Sequence, residues 1–210
     1  MPRPRFHRLS ADKRRRILEA AAKEFAAHGF DGASLNKILG EAQLSKGAAY
    51  YYFDNKADLF ATTAAFYAEE IMHDVSPVVA ELDADNFWPT LIELYQKQYG
   101  YYEAQPWAFG VVKAAARVSE QAATDHPTLA RLREEIEHDL ETLLLRGQAV
   151  GAIRSDLPHD LLVRLFMAVD DTIDHWLLEN WETLEKDEVQ EIAGRLLRGL
   201  ARFLGTEDAS

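Results

Sequence analysis

The stretch from Ser34 to Lys56, SLNKILGEAQLSKGAAYYYFDNK, constrains this chain more than any other. Ser34 is a good helix N-cap, and Ile38 and Ala42, four apart, share one face of a first short helix. Ser45 caps a second helix, whose first turn holds only Lys46, Gly47 and Ala48. A helix start with so little bulk and one cation fits a DNA major groove and presents Lys46 to base edges. Tyr50, Tyr51 and Tyr52 follow. They point about 100° apart around the axis, so a short helix cannot bury all three. At least one faces outward, where a phenol donates to a phosphate oxygen. The alternative is a helical hairpin whose tyrosines and Phe53 simply fill a core. Charge decides for a helix-turn-helix that reads DNA.

Residues 1–56 carry a net charge of +5, whereas the other 154 residues carry −17, within a chain total of −12. The whole-chain acidity therefore conceals a basic module on an acidic body. Phosphates meet local charge, because the body's charge is screened beyond about 8 Å at physiological salt. Arg3, Arg5, Arg8, Lys13, Arg14, Arg15 and Arg16 concentrate the positive charge at the front. Ser10 is placed to cap a helix in which Ile17, Ala21 and Phe25 recur every four residues, and Gly29 is placed to end it. The segment from Met1 to Arg8 is expected to be a mobile arm that follows the DNA backbone. A solvated basic tail is the plainer alternative.

The run from Arg15 to Phe60 resembles the N-terminal domain of the tetracycline-repressor (TetR) family of bacterial regulators. The resemblance rests on Ile17-Leu18-x-Ala20-Ala21 followed by Phe25 and Gly29-Phe30. It continues through Ser34 and Ile38, Ala42-x-Leu44-Ser45-x-Gly47, and Tyr50-x-Tyr52-Phe53-x-Asn55-Lys56-x-x-Leu59. Gln43 stands where a turn glycine is common, and Ala49 where a larger aliphatic is common; Gln43 is thereby expected to take a left-handed backbone. The expected DNA contacts are Arg14, Ser34, Asn36, Lys46, Gly47, Ala48, Tyr50, Tyr51, Tyr52 and Lys56, with Lys46 reading bases and Tyr51 and Lys56 holding phosphates. The resemblance implies a repressor-type regulator. It also implies a homodimer on a palindromic operator.

Beyond Lys56 the pattern stays helical to the end. Asn55 caps a helix that stops before Pro77, and a second run starts at about Pro89 and ends before Pro106. A third holds Trp107 to Val118; His126-Pro127 opens a fourth, which Gly147 and Gly151 are expected to close. Pro158 precedes a fifth, from His159 to about Trp181, and the last runs from about Lys186 to Leu204. The expected architecture is all-α: a three-helix helix-turn-helix domain over 1–56, then a helical-bundle domain for ligand binding and dimerisation over 57–210. No apolar run approaches the roughly 20 residues needed to span a bilayer, no signal pattern is visible, and a cytoplasmic location is expected. There is no cysteine, so neither a disulfide nor a thiolate metal site is available. No cofactor is expected.

Two features mark the bundle as a candidate ligand site. Tyr95, Tyr99 and Tyr102 share one helical face, with Trp107 and Phe109 after them. Buried phenols each need a hydrogen-bond partner, which a pocket supplies, although such a stripe is also ordinary core. On the fifth helix, Met167, Asp170 and Asp174 set two carboxylates among large apolar side chains. Buried, they would need pairing or a ligand cation; alternatively they face water or a dimer rim. Arg117 is the cation able to meet an acidic ligand. The effector is thus expected to be small and lipophilic or aromatic, acting on a repressor. The alternative is a helix-turn-helix protein governed by a protein partner or by DNA alone. Phe166, Val169, Ile173 and Trp176, with Ile192, Leu196 and Leu200, are the expected dimer interface. Glu70-x-x-His73 and Glu135-x-x-His138 have the spacing of di-iron bundles. The fourth helix places Glu135 and His138 opposite its apolar stripe, however, so no metal site and no enzyme are expected.

Overall fold

The computed structural model describes residues 2–72, 79, 81–180 and 183–206; the side chains of 72, 98, 99, 101–103, 120, 174, 177, 178, 186, 187 and 190 are left aside. Tyr99, Tyr102 and Asp174 therefore fall outside the described side chains, and His73 and Trp181 outside the described residues. Every regular element described is an α-helix: α1 (Pro4–His7), α2 (Ala11–Gly32), α3 (Leu35–Glu41), α4 (Lys46–Tyr52), α5 (Lys56–Met72), α6 (Phe87–Ala104), α7 (Pro106–Ala116), α8 (Glu120–Asp125), α9 (Pro127–Ala149), α10 (His159–Asn180) and α11 (Lys186–Leu204). None of them is long and apolar enough to cross a membrane. The chain forms two compact units. The first comprises Met1–Ile71 and Ala104–Ile136, the second Met72–Glu103 and Glu137–Ser210.

The first unit is built on α2. Ile17, Ala21 and Phe25 are buried, as their four-residue spacing predicts, and so are Leu18, Ile38, Leu39, Leu59 and Phe60. The edge-on contact of Phe25 and Phe60, at 4.8 Å between centroids, sits at the centre. Helix α7 lies along α2. That approach depends on Gly110, since a Cβ there would meet the Ala26 Cβ at 2.6 Å. Gly29 breaks the regularity of α2 with φ +64°, ψ −177°, a region essentially restricted to glycine, but the helix resumes and runs on to Gly32.

The second unit buries Leu82, Phe87, Trp88, Leu91, Leu94, Leu144, Ile153, Leu162, Phe166, Leu200 and Leu204 together. The Trp88 indole N–H donates to the Ala152 carbonyl at 2.9 Å, and the Arg146 guanidinium donates twice to the Leu82 carbonyl, at 2.6 and 3.1 Å. Helix α10 packs on α11.

Four local expectations are corrected. The N-terminal arm is not loose: α1 is a helical turn, with Pro4 at its first position and Phe6 buried. Helix α6 starts at Phe87, two residues before Pro89, because the Asp83 carboxylate accepts from Asp85 N–H and Asn86 N–H while Asn86 Oδ1 accepts from Asp83 N–H. Pro89 is tolerated in that first turn, where its missing N–H has no intrahelical partner to lose. Gly147 does not end α9; it lies inside the helix, where a Cβ would come within 2.7 Å of Phe87 and Ile153. Gly151, at φ +78°, follows the last turn instead. Helix α8, capped by Ser119 on the Ala122 N–H, has no counterpart in the periodicity.

Candidate nucleic-acid interface

The entry to the helix-turn-helix is set by a buried carboxylate. Glu24, 4% exposed, accepts from the Ser34 backbone N–H at 3.0 Å and lies 2.7 Å from the Lys37 ammonium. Lys37, together with the Ser34 N–H, holds this carboxyl below the ordinary glutamate range against the opposing effect of burial. Ser34 Oγ in turn accepts from the Lys37 N–H, so one serine receives α2 and starts α3.

Helix α3 ends in a Schellman turn. Leu44 N–H donates to Leu39 O at 2.8 Å and Gln43 N–H to Gly40 O at 3.2 Å, with Gln43 left-handed at φ +52°. The non-glycine residue in the turn takes the backbone expected of it, at a cost of roughly 1 kcal/mol. Two residues later Ser45 Oγ accepts from Ala48 N–H at 3.2 Å and α4 begins.

Helix α4 buries Ala49 and presents Lys46, Gly47, Tyr50 and Tyr51 to solvent; Ala48 and Tyr52 are half-buried. Tyr50 and Tyr51 are each 47% exposed, so two of the three tyrosines face outward. Nothing stands within 4 Å of a Cβ built on Gly47, so the start of α4 is open to an incoming surface. Ser34 and Asn36 are exposed at the start of α3. Lys46 and the open space at Gly47 make the start of α4 a cationic, weakly obstructed face.

The structure adds α1 to this face. Arg3 donates its backbone N–H to Tyr52 O at 2.9 Å, and its guanidinium binds Asp54 at 2.6 and 2.8 Å. Phe6 packs on Phe53 at 4.9 Å, and the Arg5 guanidinium lies 4.2 Å above the Tyr51 ring. Arg14 donates to the His7 carbonyl at 2.8 Å. The sequence signal for this docking was Pro4 at a helix start and a lone aromatic in a basic arm.

Lys56, expected to hold a phosphate, is engaged within its own domain. Its ammonium donates to the Asp31 and Ala33 carbonyls at 3.2 and 3.3 Å and sits 4.8 Å above the Phe30 ring. It thereby closes the C-terminal end of α2. Asn55 caps α5 through the Asp58 N–H at 2.9 Å.

The expected ligand residues divide between the two units. Trp107, Phe109 and Arg117 belong to the first. Phe109 is buried there, Lys23 covers the half-buried Trp107 ring at 4.7 Å, and Arg117 is exposed at the end of α7. Tyr95, Met167 and Asp170 belong to the second, where the half-buried Tyr95 phenol donates to Asp170 Oδ1 at 2.6 Å. Of the expected dimer residues, Phe166 and Leu200 are core of their own unit and so unavailable to a partner. Val169, Trp176 and Leu196 are exposed, Ile173 and Ile192 half-buried, and Phe203 and Leu161, not foreseen, extend the exposed apolar surface. Glu135 and His138 are exposed on α9.

Comparison with known proteins matches residues 17–63 to the model of bacterial regulatory proteins of the tetR family. The chain is 27% identical over 154 residues to the HTH-type transcriptional repressor AcnR of Corynebacterium diphtheriae, covering 71% of this chain and 73% of that protein. It is 49% identical over 47 residues to the HTH-type transcriptional repressor SCO4008 of Streptomyces coelicolor, covering 22% of this chain and 24% of the other. Among solved structures, the transcriptional regulator FadR from Bacillus subtilis, in complex with stearoyl-CoA, superposes with a TM-score of 0.67 at 16% identity, over 89% of this chain and 96% of FadR. The matched residues coincide with the face just described: residues 17–63 carry the domain that marks bacterial regulatory proteins of the tetR family.

Proposed function

We propose that the protein is a dimeric transcriptional repressor that leaves a palindromic operator when a small lipophilic or aromatic ligand binds. The observation that carries the DNA-binding role is helix α4, capped by Ser45, with Lys46, Gly47, Tyr50 and Tyr51 exposed in a domain of the regulator family. Lys46 reads a base edge, and Tyr50 and Tyr51, with Ser34 and Asn36, hold phosphates. Residues 1–56 bind DNA and 57–210 regulate. The repressor role is also supported by the names of the relatives AcnR and SCO4008.

Exposed Val169 and Trp176 on α10 and Leu196 and Phe203 on α11 make an apolar surface that a second copy would cover. Two heads then meet successive major grooves, with half-site centres roughly 34–36 Å apart or a multiple of that. The ligand site centres on Tyr95, Met167 and Asp170, where a phenol and a carboxylate meet. A ligand there favours a dimer with the wrong head spacing, with a coupling typically of about 1–3 kcal/mol, and α5 is the lever.

Sequencing DNA fragments selected by the purified protein tests the central claim. An inverted repeat with the stated spacing is expected. Fragments without any common sequence would remove the specific-repressor reading.

A further inference from the structure

Within the first unit, α1, α2, α5 and the first turns of α9 leave between them a cleft of about 410 Å³, open to solvent. That volume falls within the range of small-molecule sites. Its walls are apolar: Phe6 from α1, Leu18 from α2, Phe66 and the small Ala61 and Ala65 from α5, and Leu132 from α9. The two alanines, one helical turn apart, create the room.

Charge inside the cleft is set by depth. Arg14 is half-buried and, among the described residues, commits one N–H, to the His7 carbonyl, which leaves the rest of its fork for an occupant. Arg131, Glu135 and Glu69 are exposed at the rim. Arg131 and Glu135 lie four apart on α9 and offset each other, while Glu69 is solvated and screened. The cation that an occupant meets where water is scarcest is Arg14. A guanidinium fork beside apolar walls matches a carboxylate on an apolar body.

The cleft also touches the reading head. Phe6 lines it and at the same time packs on Phe53, directly after α4, while Arg3 of the same arm donates to Tyr52 O. We propose that this cleft binds a small apolar carboxylic acid, and that the occupant seats α1 against the recognition helix. It is a second effector site, within the first unit, sharing no residue with the Tyr95–Asp170 site. The protein therefore senses two chemistries, one of which acts on α4 through α1.

Calorimetric titration of the full chain with 4-phenylbutyrate, its amide and 4-phenylbutylamine tests this. The acid is expected to bind roughly tenfold tighter than the amide, and the amine more weakly than both. Ala65→Trp fills the cleft from an exposed helix position; it should abolish binding of the acid while leaving the melting temperature and ligand-free operator affinity unchanged. Arg14→Gln should bring the acid down to the affinity of the amide. With 4-phenylbutyrate bound, exchange of the Arg3 amide hydrogen should slow. Absence of acid binding at millimolar concentration, an amine that binds as tightly as the acid, or unaltered acid binding by a folded Ala65→Trp protein would each overturn the assignment. An unchanged Arg3 exchange rate would overturn the seating of α1. Tyr95 and Asp170 are untouched by these variants, so the bundle site is tested independently.

Discussion

Tyr95 on α6 donates its phenolic hydrogen to Asp170 on α10 across 2.6 Å. The two residues come from separate sequence patterns, a stripe of phenols and a stripe of carboxylates, and here each answers the other's need. A hydrogen bond to a charged acceptor contributes about 1.5–3 kcal/mol when shielded, and less at this partly buried position. Tyr95→Phe should therefore lower stability by about 1 kcal/mol in urea unfolding. If the pair also receives the effector, Asp170→Asn should cost lipophilic cations more affinity than neutral analogues and leave ligand-free operator binding unchanged. Equal losses for both classes would make Asp170 purely structural.

Lys46 and Lys56 should separate cleanly. Lys46→Ala is expected to weaken operator binding by about 1–3 kcal/mol and to relax preference at one base pair. Lys56→Ala should instead destabilise the head by about 1 kcal/mol, because two carbonyls at the end of α2 lose their donor. The salt dependence of operator binding decides between the roles of Lys56. It stays unchanged if the lysine is structural, whereas loss of a phosphate contact would reduce the slope by about one unit.

Acid should loosen the helix-turn-helix through Glu24. Its carboxyl is held below the ordinary range in the folded protein, chiefly by Lys37 and then by the Ser34 N–H. The charged form is thus favoured by folding, so the contribution is fully present above the unfolded-state value of about 4.3 and is lost as pH falls through the lower folded value. Urea unfolding from pH 6 down to pH 3 should show a decline that is shallower in Glu24→Gln. Parallel declines would assign the acid sensitivity to other carboxylates.

Much of the head was legible because its signals are local. Ser10, Ser34, Ser45 and Asn55 cap the helices they precede, and Gln43 occupies the left-handed corner that its place in the motif demands. The misread positions are those whose role is decided by distant neighbours. Gly147 looks like a terminator in sequence, yet its hydrogen atom faces Phe87 and Ile153. Nor does the sequence show that Asp31 and Ala33 turn their carbonyls toward Lys56. Phe166 and Leu200 share helices with exposed Val169 and Leu196, but the unit's own core claims one side of each helix. A periodic apolar pattern shows that a face is buried, not which molecule buries it.

Dimerisation should fail when charge enters the exposed stripe. Leu196→Asp, at a position 40% exposed, is expected to leave the monomer folded and to shift the protein to monomers in sedimentation. Operator binding should fall with it. A monomeric variant that still held a full palindrome with native affinity would sink the two-headed mechanism.

The docking of Arg3 on Tyr52 and Asp54 has a practical consequence at the bench. A purification tag fused ahead of Pro2 begins beside Arg3, which holds the end of α4, and bulky or acidic tag residues there would compete with α1 for its seat. Operator affinities measured with such a tag in place would report on the tag as much as on Lys46.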